Sequence, residues 1–402
     1  MFTEEMKKEY TILIPDMLPI HFQLFTAIFA HWGYNSELLR EDGREVVDEG
    51  LKNVHNDTCY PALLVIGQFL NALKSGKYDV NKTALLLTQT GGGCRASNYI
   101  ALLRKALQKE FPQVPVLSLN FSGLESDSSF KINPPMFLAL LNAIIYGDLL
   151  MSLYNQCKPY EIIDGKTDKK LEYWEKVLAH NFKNGRFLSR KNIYKAILDD
   201  FASVERSKEK KIRVGIVGEI YVKYSPLANN HLEEFLISEN CEPVVPSLLE
   251  FVMYCTVCAL MNGKIYGYKD KKTIANEIAY QVVYRKQKEL IKQMKSHGEF
   301  DAPHDFEELR KAADKYISQG VTMGEGWLIT AEMATLAEHG VKNIVCAQPF
   351  GCLPNHIVGK GMVRSIKNAY PDVNIVPIDY DPGATKVNQE NRIKLMLSNA
   401  VL

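Results

Sequence analysis

The sequence predicts an α/β protein built from two Rossmann-like parallel-sheet domains with a helical region inserted between them. Three observations carry this. Apolar strands alternate with helices at both ends of the chain, the pattern of parallel sheets with crossovers. The strand signals stop between about Pro135 and Lys210. The 402 residues, 46% of them apolar, are enough for two or three domains with cores of their own. The expected divisions are 1–134, 135–210 and 211–402.

In the first division TILIPDML reads as a strand and HFQLFTAIFAHWGY as a helix stopped at Gly33. NSELLRE is a short strand, TALLLTQT a buried strand, RASNYIALLRKALQKEF a helix and PVLSLNF a strand. PMFLALLNAIIYGDLLMSLYNQ, DKKLEYWEKVLAHNF and KNIYKAILDDFASVER are helices. The second sheet begins at RVGIVGEIY, with CEPVVPS as its next strand. Long helices follow across SLLEFVMYCTVCALMNG and TIANEIAYQVVYRKQKELIKQMKSH, then HDFEELRKAADKYIS and WLITAEMATLAEHG. NIVCAQPF and NIVPIDYD are strands, VGKGMVRSIKNAY a helix between them, and VNQENRIKLMLSNAVL a closing helix.

Composition narrows the function classes. A charged fraction of 24% and a net charge of +1 imply neither nucleic acid nor a membrane surface as partner. The N-terminus has no secretory pattern, and the most apolar stretch, Pro135 to Leu153, is interrupted by Asn142, Tyr146, Gly147 and Asp148, so no span is expected and a cytoplasmic location is. In such a setting the cysteines are not expected to form a disulfide framework.

Three of the eight cysteines share one local design. Cys94 follows the strand ALLLTQT through a glycine run and precedes a helix. Cys352 follows NIVCAQPF through Gly351 and precedes a helix. Cys59 precedes PALLVIGQFL, where Asp57 or Thr58 can cap and Pro61 suits a first turn. A helix N-terminus favours thiolate, the form that binds metal. Gly92, Gly93 and Gly351 let the backbone approach a bulky ligand. Three thiolates with an open fourth position would hold a reactive iron–sulfur cluster, whereas a fully ligated cluster only moves electrons. The alternative is that these are buried or redox-sensitive thiols.

Other motifs carry less. TGGGCRAS lacks the Gly-Lys-Ser/Thr ending of a P-loop, and VGIVGEIY does not complete G-x-G-x-x-G. Cys255 and Cys258 form a C-x-x-C in a strongly apolar helix and read as core, as does Cys346 within a strand; Cys157 and Cys241 have no supporting context. His356, four residues past Cys352, is a candidate to line the same cavity, although a satisfied structural histidine is the expected role. His55 stands similarly beside Cys59. Glu219, Tyr221 and Glu325 are candidates for acid, base or hydrogen-bond donor at the cleft, or for helix caps and ion pairs.

The motifs PDMLPIHFQLF, HNDTCYPALLV, TQTGGGCRASNY, VGEIYVKYSPLANN, GEGWL, QPFGCLPNHIVGKGM and DYDPGATKVNQENRIKLML together resemble the 2-hydroxyacyl-CoA dehydratase superfamily over nearly the whole chain. Within it they resemble the activase-associated branch, which includes the double-cubane cluster proteins and the large activase-fused polypeptides. The resemblance implies two Rossmann-like domains with a cluster between them, a homodimer, and a separate ATP-hydrolysing activator with its own iron–sulfur cluster that delivers low-potential electrons. By motif position Cys59, Cys94 and Cys352 match the cluster ligands. The cofactor so implied is a 4Fe–4S cluster or a sulfide-bridged double cubane; the latter needs further thiolates, for which Cys255, Cys258 and Cys346 are the reserve. The expected activity is reduction of a small substrate in an anaerobic, oxygen-sensitive enzyme. Two alternatives stand beside it: a dehydratase component acting on a 2-hydroxyacyl-CoA through a ketyl radical, and a non-catalytic electron-transfer or scaffold domain of a larger activase assembly. The chain lacks the charge pattern expected of a coenzyme A phosphate clamp.

Overall fold

The computed structural model describes residues 2–55, 58–89, 93–120, 130, 132–188, 190–267 and 271–400. Two four-stranded parallel sheets form the frame. The first contains β1 (Thr11–Pro15), β2 (Asn35–Leu39), β3 (Thr83–Gln89) and β4 (Val116–Asn120) in the order β2-β1-β3-β4. The second contains β5 (Ile212–Gly218), β6 (Cys241–Val244), β7 (Asn343–Pro349) and β8 (Asn374–Tyr380) in the order β6-β5-β7-β8. The two halves therefore have the same winding. In each, the chain steps outward once and then crosses back over its first strand, which places a topological switch point between β1 and β3 and another between β5 and β7. Ligand crevices form at the carboxyl ends of strands at such points. The continuous apolar runs that announced β3 and β7 are explained by burial on both faces: all seven residues of β7 are buried.

The helices Pro134–Cys157, Lys166–Lys183 and Lys191–Ala202 occupy the region where strand signals stop. They are not a separate body. One apolar core runs from Ile12 and Ile14 of β1 through Tyr146, Phe182, Tyr194 and Phe201 of these helices to Met253, Tyr280 and Phe306, beyond β6. Asp148, buried halfway along Pro134–Cys157, fastens it. Its carboxylate accepts from His21 Nε2 at 2.9 Å and from the backbone N–H groups of Leu248 and Leu249 at 2.8 and 3.0 Å. Those amides open the helix Leu248–Tyr266 and lack partners within it, so a carboxylate there satisfies them and complements the helix dipole.

Two helices, 134–160 and Leu248–Tyr266, have the length and apolarity of a membrane span. Most of the first is buried among other elements, as in a core helix, while the second is less enclosed.

A second core joins the halves. The helix Tyr60–Lys74 is buried on nearly every side, between Leu13 and Leu85 of the first sheet and Val214, Ile216 and Val345 of the second. The neighbouring helix Arg44–Asn53 reaches it through glycine: a Cβ on Gly67 would lie 2.1 Å from the Val46 carbonyl, and one on Gly50 2.3 Å from that of Leu63. No larger residue fits that crossing.

Candidate functional site

Cys94 and Cys352 occupy equivalent positions, each just past the third strand of its half, and Cys59 stands at the start of the helix that lies between the halves. Three contacts bring them together. The Tyr60 N–H donates to the Phe350 carbonyl at 3.0 Å. Gly351, with φ +76°, packs so that a Cβ there would be 3.2 Å from Cys59 Cα. Gly324 lies against both loops, 3.0 Å from Pro354 and 3.9 Å from Cys94 Cβ by the same measure. The Gly93 backbone meets Met323. Gly92 and Asp57 lie outside the described residues.

Each thiol has a hydrogen-bond partner of its own. Cys59 Sγ shares a 2.8 Å bond with the Tyr99 hydroxyl. Cys94 Sγ accepts from the Ala96 N–H at 3.5 Å, at the start of the 3-10 turn Arg95–Asn98. Cys352 Sγ accepts from Asn355 Nδ2 at 3.5 Å. Cys59 itself, not Thr58, is the N-cap of Tyr60–Lys74 and caps no amide with its side chain; Pro61 sits in the first turn as expected.

The expectation that helix N-termini lower these thiol pKa values fails for the protein without metal. Burial is the largest influence on all three and pushes them up, Cys94 to about 11. Hydrogen bonds from Tyr99, Ala96 and Asn355 oppose the shift but do not reverse it. Two acids add to it: Glu325 and Glu219 both raise Cys94 and Cys352. The thiols are therefore neutral in this protein unless a positive charge stands among them.

Glu219 and Glu325 act as a pair. Glu219 ends β5 and caps the short helix Ile220–Tyr224, its Oε2 accepting from Val222 N–H at 2.8 Å. Glu325 Oε1 accepts from Ile220 N–H at 3.1 Å, and its Oε2 is buried with no hydrogen-bond partner among the described residues. Burial raises both, and the neighbouring charge of Glu325 raises Glu219 further, to about 8. Tyr221 is buried, and its hydroxyl has no hydrogen-bond partner among the described residues. His356 is exposed. The wholly buried residue of that turn is Asn355. Exposed apolar side chains, Met323, Phe350, Leu353 and Ile357, stand beside these loops.

The C-x-x-C divides. Cys258 is buried against Tyr254 and Trp327, as core packing predicts. Cys255 is not a core residue: its surface is exposed, and the charge of Glu325 reaches it. The helix carrying both is tied to the Glu325 loop by the Tyr254 hydroxyl, which donates to the Gly324 carbonyl at 2.8 Å. Cys346 packs with Ile329 and Val358 in a separate apolar cluster, and Cys157 and Cys241 are buried.

Among the described residues, no three Cys, His, Asp or Glu side chains gather closely enough for a single metal ion. No protein-family model matches the chain, and no curated protein does so either.

Proposed function

We propose that Cys59, Cys94 and Cys352 hold an iron–sulfur cluster, and that the chain receives low-potential electrons from an ATP-hydrolysing activator and reduces a small substrate. The observation that carries this is the convergence of three thiols from both halves, each with its own hydrogen-bond partner. Thiolates are the soft ligands that iron–sulfur clusters take, and hydrogen bonds to the sulfurs are a main means of setting cluster potential. The residues present fit such a group. A cluster's positive irons would supply the charge that the buried thiols lack, and Gly351 leaves the backbone uncovered beside Cys59. When bound, the cluster supplies an electron and a Lewis-acidic iron. The chain's own residues then have separate tasks. Tyr99, Ala96 N–H and Asn355 donate to the sulfurs. Glu219, raised to about 8, holds a proton beside the cleft, available to a substrate oxygen or nitrogen that gains electrons. Cys255, facing the same acid, is the first reserve ligand for a larger cluster; Cys346 is turned into another core. The resemblance in the seven sequence motifs adds the activator, the homodimer and the anaerobic setting to this reading.

The test is purification under anaerobic conditions with iron and sulfide counting. About four irons per chain indicate a single cubane and about eight the double form. No iron would sink the proposal, and a Cys352→Ala chain with undiminished iron would remove that ligand.

A further inference from the structure

A cavity of about 490 Å3 lies along the edge of the second sheet beside β6, its outermost strand among the described residues. Its other walls are Pro134–Cys157, the end of Lys271–His297, the loop through Phe300 and His304, and Trp327–Glu338. None of the three thiols lines it. The volume is within the range of small-molecule sites. Part of the lining is aliphatic, including Leu290, Met294, Leu309 and Leu336.

The polar part is mostly acidic, and apart from Lys295 the cations that reach it are paired with its acids. Arg213 bridges Glu242 at 3.2 Å and Asp301 at 3.1 Å. Lys288 reaches in from outside to Asp305 at 2.8 Å, and Lys223 to Glu332 at 2.8 Å. Asp148 is satisfied by His21 and two amides, as described above. His304, packed against His339 with ring centroids 3.9 Å apart and planes tilted by 39°, is held neutral by burial and by that neighbour, its pKa drawn down to about 4. Glu250 and Glu308 complete the acidic lining, and Lys295 is the one further cation in it.

Three residues of this lining each bury a side-chain atom that has no hydrogen-bond partner among the described residues: Glu332 Oε2, Thr335 Oγ1 and Asn155 Oδ1. Their residues are exposed by only 1%, 1% and 3%. Glu332 and Thr335 are three apart on one helix and so share a face. Two of the three atoms can only accept hydrogen bonds, and the hydroxyl can do either. A buried acceptor left unmade is costly. A ligand that donates hydrogen bonds, carries positive charge and has an aliphatic body would complement the open acceptors, the acidic side and the aliphatic side of this lining together. A bare metal ion fits poorly, because no three acidic or histidine side chains among the described residues gather for one.

We propose that this cavity binds a small aliphatic amine in its ammonium form, with the ammonium at Glu332 and Thr335 and the alkyl body against Leu290, Met294 and Leu336. Lys223 holds one oxygen of the Glu332 carboxylate and the ligand takes the other. The inference stands apart from the thiol cleft and does not depend on a cluster.

The test is isothermal calorimetry on the full chain with n-butylamine and 1,4-diaminobutane, and with n-butanol and butyrate as neutral and anionic counterparts. The amines should bind, and the alcohol and the acid should not. Thr335→Val should weaken amine binding about tenfold, the scale of a lost hydrogen bond to a charged group. Glu332→Gln should weaken it more; since that change also strips Lys223 of its partner and can impair folding, Asn155→Leu serves as the second variant and should weaken the diamine. Binding of butanol as tight as butylamine would overturn the proposal. So would unchanged amine affinity in both Thr335→Val and Asn155→Leu, or no binding by any probe, which would leave water as the occupant.

Discussion

Glu250→Gln removes one titrating proton from the interior while keeping the size of the side chain. Glu250 is 4% exposed and lies three residues past the Ser247 cap of the helix Leu248–Tyr266, a capping-box spacing that glutamine also serves. Burial, and next the Glu332 carboxylate, raise its pKa from 4.5 to about 8, with Lys223 opposing. Between those two values the folded chain binds a proton that the unfolded chain has released. Stability therefore falls as pH rises through that window, by at most about 1.4 kcal/mol per pH unit from this one group. Glutamine has no proton to lose. Relative to the wild type, Glu250→Gln should thus gain about 2–4 kcal/mol between pH 5 and pH 8, the lower figure applying if the Lys223–Glu332 pair relaxes toward the new charge. Urea unfolding of both chains at several pH values, with thiols kept reduced, measures this difference, and the shared titrations of other groups cancel in it. A difference that stays constant from pH 5 to pH 8 would show that Glu250 is not held protonated.

Three other substitutions test other joints. Lys223→Met leaves Glu332 as an uncompensated buried carboxylate and should cost about 3–5 kcal/mol by denaturant unfolding, most of it recovered when Glu332→Leu is added. Gly351→Ala places a side chain at φ +76°, 3.2 Å from Cys59 Cα, and should lower stability by about 1–2 kcal/mol or more, seen as a reduced Tm. Tyr99→Phe removes the bond that holds the Cys59 pKa down against burial, so anaerobic alkylation of Cys59 in cluster-free protein should reach half its maximal rate at higher pH; an unchanged profile would mean that the phenol does not donate to this sulfur.

Both sheets were legible because β3 and β7 are largely buried strands that read as apolar runs, and because glycines stand in the sequence between each run and the next helix. The same punctuation marked Cys94 and Cys352. What escaped the sequence has specific causes. The helix Arg44–Asn53 begins at Gly43 without a side-chain cap, and its fit depends on glycines against carbonyls of a neighbour, which no periodicity records. Asn355 was hidden because the turn from Cys352 to His356, closed by an ordinary i to i+4 bond at 3.3 Å, leaves the third and fourth residues beyond the cysteine equally placed by spacing, and only tertiary packing buries Asn355 and turns His356 to solvent. The thiol pKa expectation weighed the helix dipole alone, and burial outweighs it. Glu219 and Glu325 could be named individually, but their partnership requires the end of β5 to meet the loop before Trp327–Glu338, a tertiary fact.

The bond from Tyr60 N–H to the Phe350 carbonyl joins segments from near opposite ends of the chain. On a ribosome those segments appear far apart in time. At about 5–20 residues per second, the interval between the emergence of Cys94 and that of Cys352 is on the order of tens of seconds. Throughout it the nascent first half carries Cys59 and Cys94 without the β7 loop that later covers them. Oxidative damage to this protein should therefore concentrate in unfinished chains, and a stalled or truncated product would be marked by that exposed pair of thiols.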